Sequence, residues 1–193
     1  MKFRRARAVS LLSVMALFGW GTTAEPVDAA PATTGSVDQQ ILQTAKGSLG
    51  KEMWHGYGLS SGKLGCAAAV SNVLKNAGVL GVNSAAVVII RRQILNHPKY
   101  SAQEICVKKA GPSGVDAQTF QTLSRPGDVL LAFMEPPTKP NLGPNAHCGF
   151  VGTDGNVYTN DWNDGIWKYA PIEQYFSYYP YIYVIRLKPK SSK

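Results

Sequence analysis

A change in the hydrophobic period near residue 100 is the feature that most constrains the fold of this chain. Before it, apolar residues recur at helical spacing, which predicts helices over about 36–50, 66–78 and 84–96. After it, apolar and polar residues alternate in short runs that predict strands, at 104–108, 128–134, 147–152, 156–161, 165–169 and 181–187. Helices followed by antiparallel strands predict an α+β domain, with N-terminal helices packed on a C-terminal sheet.

Local signals set several element boundaries. Ser36 and Gln39 form a capping-box pattern at the start of the first helix. Gly78 is a typical glycine at the end of the second helix. Asp154-Gly155 stands between two predicted strands and readily supplies the positive φ that a tight hairpin turn requires.

The first 29 residues have the three-part pattern of a secretory signal peptide. Basic residues come first, an apolar run follows at 9–20, and small residues allow cleavage after Ala24 or Ala29. A membrane span needs about 20 apolar residues, which is more than this run contains. We therefore expect the segment to be removed and the protein to be exported to the periplasm, the cell wall or the medium. After the signal peptide (1–29) we expect a flexible leader (30–36), one domain (37–188) and a basic, solvated tail (189–193).

The chain is basic before and after removal of the signal peptide. Loss of residues 1–29 takes away four basic and two acidic side chains, which lowers the formal net charge from +8 to +6. A basic exported protein is drawn toward polyanions, here anionic cell-wall polymers or lipid headgroups. No basic run interleaved with aromatic residues predicts a nucleic-acid site, and no second apolar stretch predicts a membrane span.

Cys66 opens the second predicted helix, after a loop rich in Gly and Ser. The unpaired N–H groups and the dipole of a helix N-terminus favour the thiolate and lower the pKa of a cysteine placed there. His147 starts a predicted strand, and an imidazole can take and return protons during attack by a thiolate. This pair predicts a thiol hydrolase. The alternative for His147 is a core or edge histidine with a structural hydrogen bond.

The three cysteines are an odd number for an exported protein. With Cys66 as the nucleophile, Cys106 and Cys148 remain as a possible disulfide in an oxidising compartment. The alternative is that all three are buried thiols that pack as small hydrophobic side chains. The histidines lack metal-ligand spacing to the cysteines or to one another, so we expect no metal site.

Three short motifs, taken in order, resemble the NlpC-type and CHAP-type peptidoglycan hydrolases. They are Gly65-Cys66-Ala67-Ala68, Pro126-Gly127-Asp128 and His147-Cys148-Gly149-Phe150-Val151, and the resemblance covers roughly residues 41–187. It implies a papain-like fold with Cys66 as nucleophile and His147 as general base and then acid. One departure is that the family usually has Asp-Cys-Ser-Gly at the nucleophile.

The resemblance also implies a third residue, near 159–161, that orients the imidazole. We expect Asn160, whose amide can accept a hydrogen bond from the ring without adding charge. Asp161 is the alternative, because a one-residue shift of register exchanges the two side chains; a polar turn with no role in catalysis is the alternative to both. Many family members have a tyrosine where this chain has Trp54 to Tyr57, so either aromatic could wall the cleft or anchor packing.

The resemblance implies an exported, monomeric cysteine hydrolase that needs no cofactor and cleaves an amide bond in the peptide stem of peptidoglycan. A secreted papain-like protease or amidase on another peptide would use the same residues. A basic wall-binding module, in which Cys66 is structural, is a third possibility. The aromatic residues at 175–183 are expected to close the sheet, with a carbohydrate-stacking surface as the alternative.

Overall fold

One antiparallel sheet organises the computed structural model, which describes residues 35–109, 115–138 and 145–191. Within these residues the helices are α1 (Val37–Gly47), α2 (Cys66–Asn76), α3 (Val87–Leu95), α4 (Ala117–Leu123) and α5 (Ile172–Phe176), with a short 3-10 helix at Gly62–Leu64. The strands are β1 (Tyr100–Lys109), β2 (Val129–Phe133), β3 (Ala146–Val151), β4 (Asn156–Asn160), β5 (Trp167–Pro171) and β6 (Tyr181–Pro189). Their order in the sheet is β1-β6-β2-β3-β4-β5. The predicted α+β class is confirmed.

Each face of the sheet carries a buried layer. On one face Ile41, Val70 and Ile90 from α1, α2 and α3 pack with strand residues such as Phe150. On the other face Phe120 of α4 and the aromatic residues of α5 pack against alternate residues of β2 and β6.

Two helices, α4 and α5, are too short to show a periodic pattern in the sequence and were not predicted. In α4 only Phe120 is buried, so the helix has no apolar stripe with a helical period. Its start depends on a local cap: the Asp116 carboxylate accepts hydrogen bonds from the backbone N–H groups of Gln118 and Thr119, each at 3.2 Å. In α5 five residues make little more than one turn.

Caps explain which helix boundaries were predicted well. The capping box of Ser36 and Gln39 is present at α1, and Gly78 has a φ of 82° just after α2, as a C-terminal glycine should. Ser84 does not begin α3, which starts at Val87. Its backbone N–H and carbonyl both bond the Ser71 hydroxyl, at 3.1 and 2.9 Å, so Ser84 is held in the preceding loop.

The chain termini fall partly outside the described residues. The predicted signal peptide (1–29) and most of the leader (30–36) lie there. Lys190, in the predicted basic tail, is exposed; it donates from its backbone N–H to the Lys99 carbonyl at 3.0 Å and from Nζ to the His97 carbonyl at 2.9 Å. Among the described helices, none has the length and apolar character to cross a membrane.

Candidate active site

Cys66 is the first residue of α2, and Gly65 is its N-cap. The next three residues are alanines and are fully buried, so the small side chains let the start of the helix lie close to the sheet. The first N–H groups of a helix have no partner within it and point toward its N-terminal end. The half-buried thiol of Cys66 thus stands where a thiolate is favoured.

His147, the second residue of β3, is only 3% exposed and is surrounded by aromatic rings. Ring centroids of Trp162 and Phe176 lie 5.2 and 5.1 Å from that of the imidazole. Tyr175 and Tyr179 stack on it at 6.1 and 6.4 Å. These rings pack around the imidazole and restrict its orientation.

Thr159 is the residue that holds the imidazole. Its Oγ1 lies 2.8 Å from Nε2 of His147 and donates to the Cys148 carbonyl at 2.7 Å. Because a hydroxyl has one hydrogen and that hydrogen goes to the carbonyl, Oγ1 accepts the bond from Nε2–H. The ring is therefore held with its proton on Nε2, which leaves Nδ1 of the neutral ring as the acceptor.

Neither residue predicted for this role contacts the imidazole nitrogens. Asn160 donates from Nδ2 to the Gly62 carbonyl at 2.7 Å and so holds the 3-10 turn that precedes Cys66. Asp161 accepts hydrogen bonds from Lys168 Nζ at 2.6 Å and from the Tyr175 hydroxyl at 3.0 Å. Burial opposes ionisation of Asp161, but the lysine ammonium and the donors around it lower its pKa. The hydrogen bond to the imidazole is thus made by Thr159 and not by Asn160 or Asp161.

The hairpin between β3 and β4 is the cause of this difference. Its turn is as predicted, since Asp154 and Gly155 have φ values of 55° and 76°. However, it is the N–H of Gly152, not that of Thr153, that donates to the Asn156 carbonyl, at 2.9 Å. Thr153 is thus an extra residue on one side of the hairpin, as in a β-bulge.

Tyr169, on β5, satisfies the backbone of this extra residue. Its hydroxyl accepts from the Thr153 N–H at 3.1 Å and donates to the Thr153 carbonyl at 3.0 Å. The extra residue shifts the pairing so that Thr159 stands opposite Gly149. Since successive side chains alternate between faces, Thr159 shares the face of His147, and Asn160 is turned to the other.

Cys148 lies against Cys66, the predicted nucleophile. Its thiol hydrogen bonds to Cys66, and this contact, followed by the hydrogen bond and the charge of His147, lowers the pKa of Cys66, although burial acts in the opposite direction. Burial and then the neighbouring Cys66 raise the pKa of Cys148. Because Cys66 has the helix N-terminus and the imidazole beside it, Cys66 carries the thiolate and Cys148 remains the S–H donor.

The disulfide expected between Cys106 and Cys148 is incompatible with this fold. Cys106 is exposed on β1 and Cys148 is buried on β3, with β6 and β2 between those strands. Strands lie about 4.8 Å apart, which puts the two cysteines about 14 Å apart, beyond the roughly 7 Å that a disulfide can bridge. All three cysteines are free.

Cys66 and His147 both line an open cleft of about 470 Å³. The other lining residues are Leu59, Lys63, Leu64, Ala85, Ala86, Val87, Val88, Phe133, Asn145, Ala146, Trp162 and Tyr179. Trp54 and Tyr57, expected to wall the cleft, are not among them. Trp54 packs against the loop that precedes α2, because a Cβ added at Gly65 would lie 2.5 Å from the Cβ of Trp54. Trp54 is therefore a packing anchor of this loop.

Two contributors to the site were missed from sequence, Cys148 as a neighbour of the nucleophile and Trp162 as a wall of the cleft. Strand alternation could have indicated Cys148. Neighbouring residues of a strand face opposite sides, so of His147 and Cys148 only Cys148 points into the core layer that contains α2. No local pattern marks Trp162. In the described ranges, no group of three His, Cys, Asp or Glu side chains converges as metal ligands would.

No model of a known protein family matches this chain, and no curated protein matches it either.

Proposed function

We propose that this chain is a cysteine hydrolase that cleaves an amide bond in the peptide stem of peptidoglycan. The observation that carries the proposal is that Cys66, at a helix N-terminus, and His147 line the same open cleft, with Nε2 of His147 bonded to Thr159. A nucleophile, a base and a residue that orients the base are the parts that covalent hydrolysis requires. A nucleophile helix against a sheet that carries the histidine would make the fold papain-like.

The reaction would proceed in two steps through a thioester. The Cys66 thiolate attacks the carbonyl carbon of the amide, and the His147 imidazolium gives its proton to the leaving amine, so that the acyl group stays on sulfur. His147 then takes a proton from water, whose oxygen attacks the thioester and releases the carboxylic acid and the thiolate. The backbone N–H of Cys66, at the start of α2, is the candidate donor to the oxyanion.

Four observations favour peptidoglycan as the substrate. The motifs around Cys66, Asp128 and His147 resemble those of peptidoglycan hydrolases, and the first 29 residues have the pattern of an export signal. The net charge is positive, which attracts the protein to an anionic wall. Lys63 in the cleft wall would pair with a carboxylate of an acidic stem peptide.

Digestion of purified sacculi followed by mass spectrometry of the released muropeptides tests this proposal. Wild type and Cys106→Ser should release the same new muropeptides, because Cys106 is exposed on another strand. Cys66→Ala should lose turnover by more than about a thousandfold yet fold normally, since alanine suits a helix. A well-folded Cys66→Ala protein that stays active would overturn the mechanism. Cleavage of unrelated peptides without cleavage of sacculi would overturn the substrate.

A further inference from the structure

A second depression, of about 410 Å³, adjoins the candidate active site. It is lined by Trp162, Gln174, Tyr175, Ser177, Tyr178 and Tyr179. Trp162 and Tyr179 also line the cleft that contains Cys66, so the two cavities are neighbours on either side of these rings. A ligand that crosses the two rings would reach both cavities.

Two aromatic rings in this depression are exposed although the rest of their cluster is buried. Tyr178 is 70% exposed and Trp162 is 38% exposed, whereas Tyr175 and Tyr179 are buried. Tyr178 stands edge-on to Tyr179, with ring centroids 5.9 Å apart, and Trp162 stands edge-on to Tyr175 at 5.0 Å. The buried rings close the domain, as expected from sequence, while the exposed pair adds nothing to that core. An exposed patch of large aromatic side chains beside a cleft is typical of a binding surface.

The chemistry of the depression suits a neutral ligand with both an apolar face and polar groups. None of the six lining side chains is charged, and Gln174 and Ser177 supply an amide and a hydroxyl. The carboxylates that flank Trp162 along the chain, Asp161 and Asp164, are both paired with Lys168. A sugar ring has this combination, because its C–H face packs on aromatic rings and its hydroxyl and acetamido groups take hydrogen bonds.

We propose that this depression is a saccharide subsite, which binds a sugar of the glycan strand while the attached peptide lies in the cleft at Cys66. The inference rests on the proposed function, since it places the glycan-linked end of the stem peptide beside Trp162 and Tyr179. It predicts that substrates that keep their sugar are cleaved more efficiently than the free stem peptide.

Binding of tetra-N-acetylchitotetraose, a neutral oligosaccharide without peptide, tests the subsite. The titration is followed by tryptophan fluorescence and NMR on the mature chain carrying Cys66→Ala. Tyr178→Ala should weaken binding roughly 3- to 10-fold, the range expected for loss of one stacked ring. Tyr178→Phe should bind like the parent because the ring is kept. Leu80→Ala is the control, since Leu80 is 59% exposed and lines neither cavity.

Absence of oligosaccharide binding, or equal binding by Tyr178→Ala, would overturn the subsite. So would binding of the free stem peptide that depends on Tyr178. Failure of the proposed function gives a different result: the oligosaccharide binds, but the protein with an intact Cys66 cleaves no muropeptide. If both proposals are right, Tyr178→Ala lowers kcat/KM on glycan-linked muropeptides and leaves kcat/KM on glycan-free peptides unchanged.

Discussion

At the scale of single residues, the reactivity of Cys66 depends on a second cysteine. The Cys148 thiol donates to the Cys66 thiolate, and this contact and His147 lower the pKa of Cys66. Only the thiolate attacks a carbonyl or an alkylating reagent. We therefore expect Cys148 to stabilise the thiolate of Cys66, the proposed nucleophile.

Replacing Cys148 should shift the ionisation of Cys66. Cys148→Ala removes a donor to the thiolate, so the pKa of Cys66 rises and the pH profile of iodoacetamide labelling moves to higher pH. Cys148→Ser keeps an O–H donor and should leave the profile close to that of the parent. The measurement needs a Cys106→Ser background, because Cys106 is exposed and would itself be labelled. Identical profiles for the alanine and serine variants would contradict this role.

Thr159 should control turnover rather than substrate affinity. Thr159→Val keeps the shape of the side chain but removes the bond to Nε2 of His147, so the ring is free to turn or change tautomer. We expect kcat to fall roughly tenfold, the effect of one lost hydrogen bond, with KM almost unchanged and Thr159→Ser restoring activity. Asn160→Ala should act on stability, through the Gly62 carbonyl it releases. A larger loss of kcat in a stable Asn160→Ala protein would return the role to Asn160.

At the scale of elements, the β3–β4 hairpin transmits a local irregularity to the site. Gly152 lies under Tyr169, the residue whose hydroxyl holds the extra Thr153. The register that brings Thr159 to His147 therefore depends on a close approach at the far end of the hairpin. Substitution there should affect both stability and catalysis.

Gly152→Ala tests this dependence. A Cβ at Gly152 would lie 2.4 Å from Cε2 of Tyr169 and 3.0 Å from the Asn156 carbonyl oxygen. We expect urea denaturation to show a loss of about 1–3 kcal/mol in the free energy of unfolding, as for overpacking, together with reduced turnover. Gly47→Ala is the control, because nothing lies within 4 Å of its Cβ position and alanine favours a helix. Equal stability of the two variants would show that the hairpin tolerates the side chain.

At the scale of the whole molecule, a buried ion pair between Asp128 and Arg186 links β6 to the turn before β2 and to the end of α4. The Asp128 carboxylate accepts hydrogen bonds from Arg186 of β6 at 2.8 and 3.1 Å and from the Arg125 backbone N–H at 2.8 Å. Arg186 also donates to the Leu123 carbonyl at the end of α4, at 3.2 Å. The Asp128 side chain is 1% exposed, so the pair is shielded from water.

Removing one partner of this pair should strongly destabilise the fold. Asp128→Ala leaves the Arg186 charge buried without its carboxylate, which costs about 3–5 kcal/mol in similar cases. Glu52→Gln, which removes the negative charge from the exposed contact with His55, should cost less than about 1 kcal/mol. Urea denaturation of both variants gives the comparison. A similar loss in the two would contradict the structural role of the buried pair.

The sequence by itself determined the local features of this protein. The capping box at Ser36, the glycine at Gly78 and the helical spacing after Cys66 depend on neighbours within a few residues, so the first helices and the cysteine at a helix start could be predicted. The alternating runs gave the strands, and Asp154-Gly155 gave a turn. The short α4 and α5 could not be predicted, because they bury too few residues to show a period.

Only the tertiary structure decided which side chains meet. One extra residue, Thr153, held by Tyr169, exchanges the faces of Thr159 and Asn160, because side chains alternate with every residue of a strand. The order of strands separates Cys106 from Cys148 and leaves Cys148 against Cys66, contacts between residues far apart along the chain. The spacing of residues along the sequence gives neither the register of the β3–β4 hairpin nor the order of the strands, because both depend on how the strands pair in the folded protein.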